Sequence, residues 1–93
     1  GAHYLEKTQG GRGLLLGGVP GVAPANVVIL GGGVAGTHAA QMALGAHADV
    51  TVFDRSAERL GELDQIFNGM IKTAFSTGAA VEKAVAEADL VIG

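Results

Sequence analysis

From Asn26 onward the chain alternates between short apolar runs and longer stretches with helical spacing. Val27-Val28-Ile29-Leu30, Val50-Thr51-Val52-Phe53, Met70 to Phe75 and Leu90-Val91-Ile92 read as four strands. Short, nearly continuous apolar runs separated by helical patterns predict β-α-β units, whose strands are covered on both faces. The first helix, about 34–45, is built from Ala35, Ala39, Ala40 and Ala43, which are small enough to lie close to a sheet. The second starts after Ser56, an N-cap residue with Glu58 in the first turn; it sets Leu60, Leu63 and Phe67 on one stripe and ends at Asn68-Gly69. The third places Val81, Ala84, Val85 and Ala88 at i, i+3, i+4 and i+7. Right-handed crossovers put these strands in the order 3-2-1-4, an α/β, Rossmann-type doubly wound parallel sheet, here as a partial domain.

The residues before Asn26 follow no such rhythm. Gly1 to Thr8 are compatible with a short helix through Tyr4, Leu5 and Lys7, which Gly10-Gly11-Arg12-Gly13 must break. Leu14-Leu15-Leu16 is stopped by Gly17-Gly18, and Pro20 and Pro24 then fix the backbone of a linker. The expected organisation is a lead-in segment and linker over 1–25 and a dinucleotide-binding domain over 26–93, incomplete at its C-terminal side.

The first strand runs directly into Gly31-Gly32-Gly33-Val34-Ala35-Gly36, and the second ends on Asp54, 18 residues after Gly36. A strand, a G-x-G-x-x-G turn, a helix and a second strand closed by an acid form the layout that binds a dinucleotide. Gly31 allows the tight turn, Gly33 lets backbone approach a pyrophosphate, and Gly36 lets helix and strand pack closely. The helix N-terminus around Val34 and Ala35 offers N–H groups and a positive dipole end to the phosphates. Asp54 can accept both hydroxyl hydrogens of an adenosine ribose and repels a 2′-phosphate, which favours NAD over NADP. Arg59, one helical turn beyond Arg55, is placed either over the adenine or ribose edge or in solvent. Ser76, after the third strand, either touches the adenine or caps a helix.

Composition narrows the remaining chemistry. A net charge of −3 with no run of like charge argues against nucleic acid or an anionic membrane as partner. No stretch approaches the roughly 18–20 apolar residues needed to span a bilayer, and the chain reads as soluble, with the cytoplasm as its default compartment. Zero cysteines exclude disulfides, thiol catalysis and thiolate metal sites. His3, His38 and His47 lie too far apart to share a metal, and no catalytic acid, base or nucleophile constellation can be assembled. An FAD-binding Rossmann domain is an alternative for the glycine turn, although flavoproteins usually place Glu where Asp54 stands.

The segments Thr8-Gln9-Gly10-Gly11-Arg12-Gly13, Gly17-Gly18-Val19-Pro20-Gly21-Val22, Gly31 to Gly36 and Ala88-Asp89-Leu90-Val91-Ile92-Gly93 together resemble bacterial alanine dehydrogenase. They also look like the related nicotinamide nucleotide transhydrogenase alpha subunit, kept as an alternative. The resemblance covers essentially the whole chain. It implies a fragment of an NAD-binding domain from an enzyme that converts L-alanine to pyruvate and ammonia with hydride transfer to NAD. It also implies that the catalytic residues lie outside this chain, that alanine and pyruvate are met through a separate catalytic domain, and that the enzyme is a homo-oligomer. Carried over position by position, its cofactor contacts fall on the turn around Gly33 and Val34, on Asp54 as ribose ligand, on Arg59 and on Ser76.

Overall fold

The computed structural model describes residues 4–6 and 23–93. Its central strand, β2 (Asn26–Leu30), shows the reason for the fold: Val27, Val28 and Ile29 are all buried, so both faces of the strand must be covered. Beside it lie β3 (Asp49–Asp54), β4 (Lys72–Phe75) and β5 (Leu90–Ile92), all parallel and joined by α1 (Val34–Gly45), α2 (Ala57–Ile66) and α3 (Gly78–Glu87). The parallel strands run β4-β3-β2-β5, the order 3-2-1-4 expected from the sequence.

Alternation along the strands divides the core in two. Val27, Ile29, Val50, Val52 and Ile92 point to one face and meet Ala40, Ala43, Leu63 and Phe67 from α1 and α2. Val28, Phe53 and Val91 point to the other, under Val81, Ala84 and Val85 of α3 and the following Ala88. The buried stripe of α1 is Gly36, Ala40 and Ala43, narrower than the alanine content suggests because Ala35 is exposed. The α2 stripe holds Leu63 and Phe67 buried, with Leu60 half-buried. After α2, Asn68 and Gly69 both take positive φ and turn the chain toward β4.

One expectation is overturned at the start of the chain. Tyr4–Glu6 form not a helix but a strand, β1, antiparallel to β5 with Tyr4 opposite Ile92 and Glu6 opposite Leu90. A helix of one or two turns bears the whole cost of nucleation for few hydrogen bonds. The open edge of β5 instead offers a ready row of backbone donors and acceptors. The glycine-rich break at 10–13, the Leu14–Leu16 run and most of the expected linker, including the two motifs within residues 8–22, lie outside the described residues.

Candidate nucleotide-binding site

The glycine turn sits where β2 and β3 end together. Gly31, with φ +114°, donates its N–H to the Phe53 carbonyl at 2.8 Å, so the turn begins while still tied to the neighbouring strand. That φ is strained for any residue with a Cβ. Gly36 faces this turn from the first coil of α1, and a Cβ there would collide with the Gly31 carbonyl oxygen. Gly32 is covered from α2: a Cβ on it would stand 2.7 Å from Leu63 Cδ1 and 3.2 Å from Asp54 Oδ2. At Gly33 the surroundings change, because a Cβ would find no atom within 4 Å. Gly31 is thus demanded by backbone conformation and Gly36 by packing against backbone, Gly32 is closely covered by side chains, and Gly33 faces open space.

Gly33 is also the N-cap of α1, and no side chain caps this helix. An α-helix begins with N–H groups that have no partner within it. Among the described residues no acceptor meets the Gly33 N–H. Val34 and Ala35 are exposed at this same end. A helix N-terminus open to solvent, without an acid in its first turn, is suited to an anion.

Asp54, at the end of β3, ties the turn to the next helix. Its Oδ2 accepts the Gly32 N–H at 2.8 Å and its Oδ1 accepts the Ser56 N–H at 2.8 Å. These two backbone donors, Ser56 before Gly32, hold the carboxyl below its usual range, and the Arg55 N–H and the Arg59 charge act in the same direction against partial desolvation. Each carboxylate oxygen has a further acceptor site, so the ionised group can still receive hydroxyl hydrogens from a ligand.

Arg59 projects back from α2 onto the turn. Its Nε donates to the Gly32 carbonyl at 2.6 Å, Nη2 to Thr37 Oγ1 at 2.9 Å and Nη1 to Glu62 at 3.0 Å. The guanidinium is therefore engaged with the protein, neither free in solvent nor pointing only outward. Ser76 is half-buried beyond β4 and reaches the same place through its backbone, its N–H donating to the Asp54 carbonyl at 3.0 Å. Thr77, not Ser76, caps α3, with its hydroxyl accepting the Ala80 N–H at 3.3 Å. The structure thus gathers Gly31, Gly33, Val34, Ala35, Gly36, Asp54, Arg59 and Ser76 around the ends of β2, β3 and β4. His38 is exposed on α1 and His47 follows that helix at φ 65°. No three His, Asp or Glu side chains meet at metal-binding distance among the described residues.

The family model for the C-terminal domain of alanine dehydrogenase/PNT matches residues 1–93. The chain belongs to this alanine dehydrogenase/PNT family. Similar proteins include the alanine dehydrogenase of Halomonas elongata, 61% identical over 93 residues, all of this chain and 25% of that protein. That of Bacillus subtilis is 56% identical over 92 residues, 99% of this chain and 24% of that protein. A solved L-alanine dehydrogenase superposes with a TM-score of 0.79 at 58% identity, covering 87% of this chain and 22% of its own. The chain thus spans about a quarter of the length of these relatives.

Two residues of this alanine dehydrogenase/PNT domain escape a reading of its sequence. Thr37 places its hydroxyl on the Gly33 carbonyl at 2.8 Å and receives Arg59; Glu62 steadies the far side of the guanidinium. A threonine four residues after the glycine it bonds is a local signal. The contact to Arg59, 22 residues away on another helix, has none.

Proposed function

We propose that this chain is the NAD(H)-binding part of an alanine dehydrogenase, holding the adenosine and pyrophosphate half of the cofactor. The observation that carries this reading is the juxtaposition, at the C-terminal ends of the neighbouring strands β2 and β3, of an uncapped helix N-terminus at Gly33 with an ionised, backbone-anchored Asp54. The first supplies donors for a pyrophosphate, the second acceptors for a ribose diol. The open space beside Gly33 is where phosphate oxygens approach the backbone. Gly31 and Gly36 shape the turn, Val34 and Ala35 present the first helical N–H groups, and Arg59 and Ser76 border the adenosine end. A negative Asp54 disfavours a 2′-phosphate, which makes NAD the cofactor.

NAD held by these residues would supply the hydride acceptor for the oxidative deamination of L-alanine to pyruvate and ammonia. The residues here bind and orient; the acid–base groups for the reaction belong to a catalytic domain outside this chain, where alanine and pyruvate are met. The enzyme is a cytoplasmic homo-oligomer in this reading. No helix of the described residues is long and apolar enough to cross a membrane. The names of the relatives favour alanine dehydrogenase over a transhydrogenase subunit.

The test is titration of NADH, followed by its fluorescence, into the dehydrogenase that carries this chain and into its Asp54→Ala variant. Charge-assisted hydrogen bonds contribute about 1.5–3 kcal/mol, so affinity should fall roughly ten- to hundredfold. Equal affinity in the variant would remove Asp54 from the ribose site.

A further inference from the structure

We propose that Thr37 is a positioning residue of the nucleotide site: its hydroxyl locks Arg59 onto the Gly32–Gly33 peptide and so aims the Gly33 N–H at the pyrophosphate. This rests on the NAD reading above and adds to it a residue that touches no cofactor.

The direction of each bond in the cluster is forced. A guanidinium has only donors, so where Arg59 Nη2 meets Thr37 Oγ1 at 2.9 Å the hydroxyl must accept. The single hydroxyl hydrogen then goes to the Gly33 carbonyl at 2.8 Å, in preference to the Gly32 carbonyl at 3.5 Å. Arg59 Nε completes the clamp on the Gly32 carbonyl at 2.6 Å. In a trans peptide the N–H points opposite to the C=O. Fixing the Gly32 carbonyl toward Arg59 therefore turns the Gly33 N–H away from α2, toward the side where a Gly33 Cβ would meet nothing.

Without the hydroxyl the clamp is poorly held. The remaining side-chain partner of Arg59 is Glu62, an i, i+3 neighbour with about half of its side chain exposed. Exposed pairs of this kind fix little. Threonines within helices often bond back to the carbonyl four residues earlier, and that bond alone serves only α1. What sets Thr37 apart is its second bond, which makes one hydroxyl the joint between the turn, α1 and α2.

The experiment uses the dehydrogenase carrying this chain, with Thr37→Val to keep the shape and remove the hydroxyl, and Thr37→Ser to restore it. Losing one or two hydrogen bonds predicts that Kd for NADH and KM for NAD rise about five- to twentyfold in Thr37→Val, with kcat within about twofold of wild type. Thr37→Ser should bind within about twofold of wild type. ADP-ribose should weaken in parallel with NADH, whereas adenosine, which lacks the pyrophosphate, should compete as well as before. If Thr37→Val does not fold, Thr37→Ala, which adds no bulk, carries the same expectation. Unchanged NADH affinity in the folded variant overturns the proposal, as does an equal loss for adenosine or failure of serine to restore binding. Wild-type protein that does not bind NADH overturns the NAD reading itself.

Discussion

α1 and α2 start on either side of one carboxylate, and they treat their first N–H groups in opposite ways. Asp54 accepts the Gly32 N–H just before α1 and the Ser56 N–H at the cap of α2. Beyond that shared anchor, α2 closes its own end: the Ser56 hydroxyl accepts the Arg59 N–H at 3.1 Å, and Glu58 lies in the first turn. α1 begins on Gly33 with neither a side-chain cap nor an acid. α3 resembles α2, with Thr77 as its cap. A helix whose own side chains satisfy its donors is finished as structure. A helix that leaves them open still has donors to give, and the proposed cofactor site depends on that difference.

The open end depends on how closely α1 sits on β2, so the largest effect should come from Gly36→Val. Its Cβ would strike the Gly31 carbonyl oxygen, a backbone atom held by the turn, and the branched side chain adds contact with Ile29. Overpacking that backbone cannot relieve should cost more than about 3 kcal/mol, and chemical denaturation should show a large drop in midpoint or no folded state. The same change at Gly33, where nothing lies within 4 Å, should leave the fold intact. A stable Gly36→Val protein would mean that α1 is free to shift and that its end is not set by this contact.

The contrast between the helix ends was partly legible in the sequence. The four parallel strands could be read because runs such as Val27-Val28-Ile29 allow only a strand covered on both faces. Gly31 and Gly36 could be read because their roles are steric and local. Ser56 is a standard cap, and the structure confirms it. The expected helix at the start of the chain failed because Tyr4–Glu6 answer to β5, a partner far along the sequence. Thr37 and Glu62 were invisible for a related reason: their importance comes from Arg59, and the meeting of Thr37 with Arg59 exists only after α1 and α2 have packed on the same face of the sheet. The burial of Gly32 under Leu63 is equally tertiary.

Converting one kind of helix end into the other is a sharper test. Gly33 has φ −73° and ψ −162°, an extended conformation that any cap residue adopts, with room for a side chain. Gly33→Asp should therefore cap α1 much as Ser56 caps α2, leaving stability equal or a few tenths of a kcal/mol higher. The new carboxylate would occupy the place of the phosphates and repel them, so NADH affinity should fall by about a hundredfold or more, which corresponds to roughly 2.7 kcal/mol. Thermal unfolding and NADH titration on the same sample would separate the two effects. Retained binding would show that the α1 end is not the phosphate site, whereas lost stability would show that its donors were not waiting for a cap.

The smallest effect concerns the carboxylate that both helix ends share. Asp54 has its folded pKa lowered below 3.8 by the Ser56 and Gly32 N–H groups, so its ionised form favours the folded state. Above about pH 3.8 the group is ionised in both folded and unfolded chains, and the stabilisation is fully present. As pH falls below that value the unfolded chain takes up the proton first, and the contribution fades until it is gone below the folded pKa. Protonation removes the anionic acceptor from both N–H groups at once. In a pH titration followed by amide NMR, the Gly32 and Ser56 signals should move together with one midpoint below 3.8. The Ala80 N–H, held by the neutral Thr77 hydroxyl, provides a reference that should not share that midpoint. Asp54→Asn should abolish the shared transition, because the amide does not ionise. Separate midpoints for Gly32 and Ser56 would instead mean that the start of α2 and the glycine turn are not joined through this side chain, leaving Arg59 as the link between them.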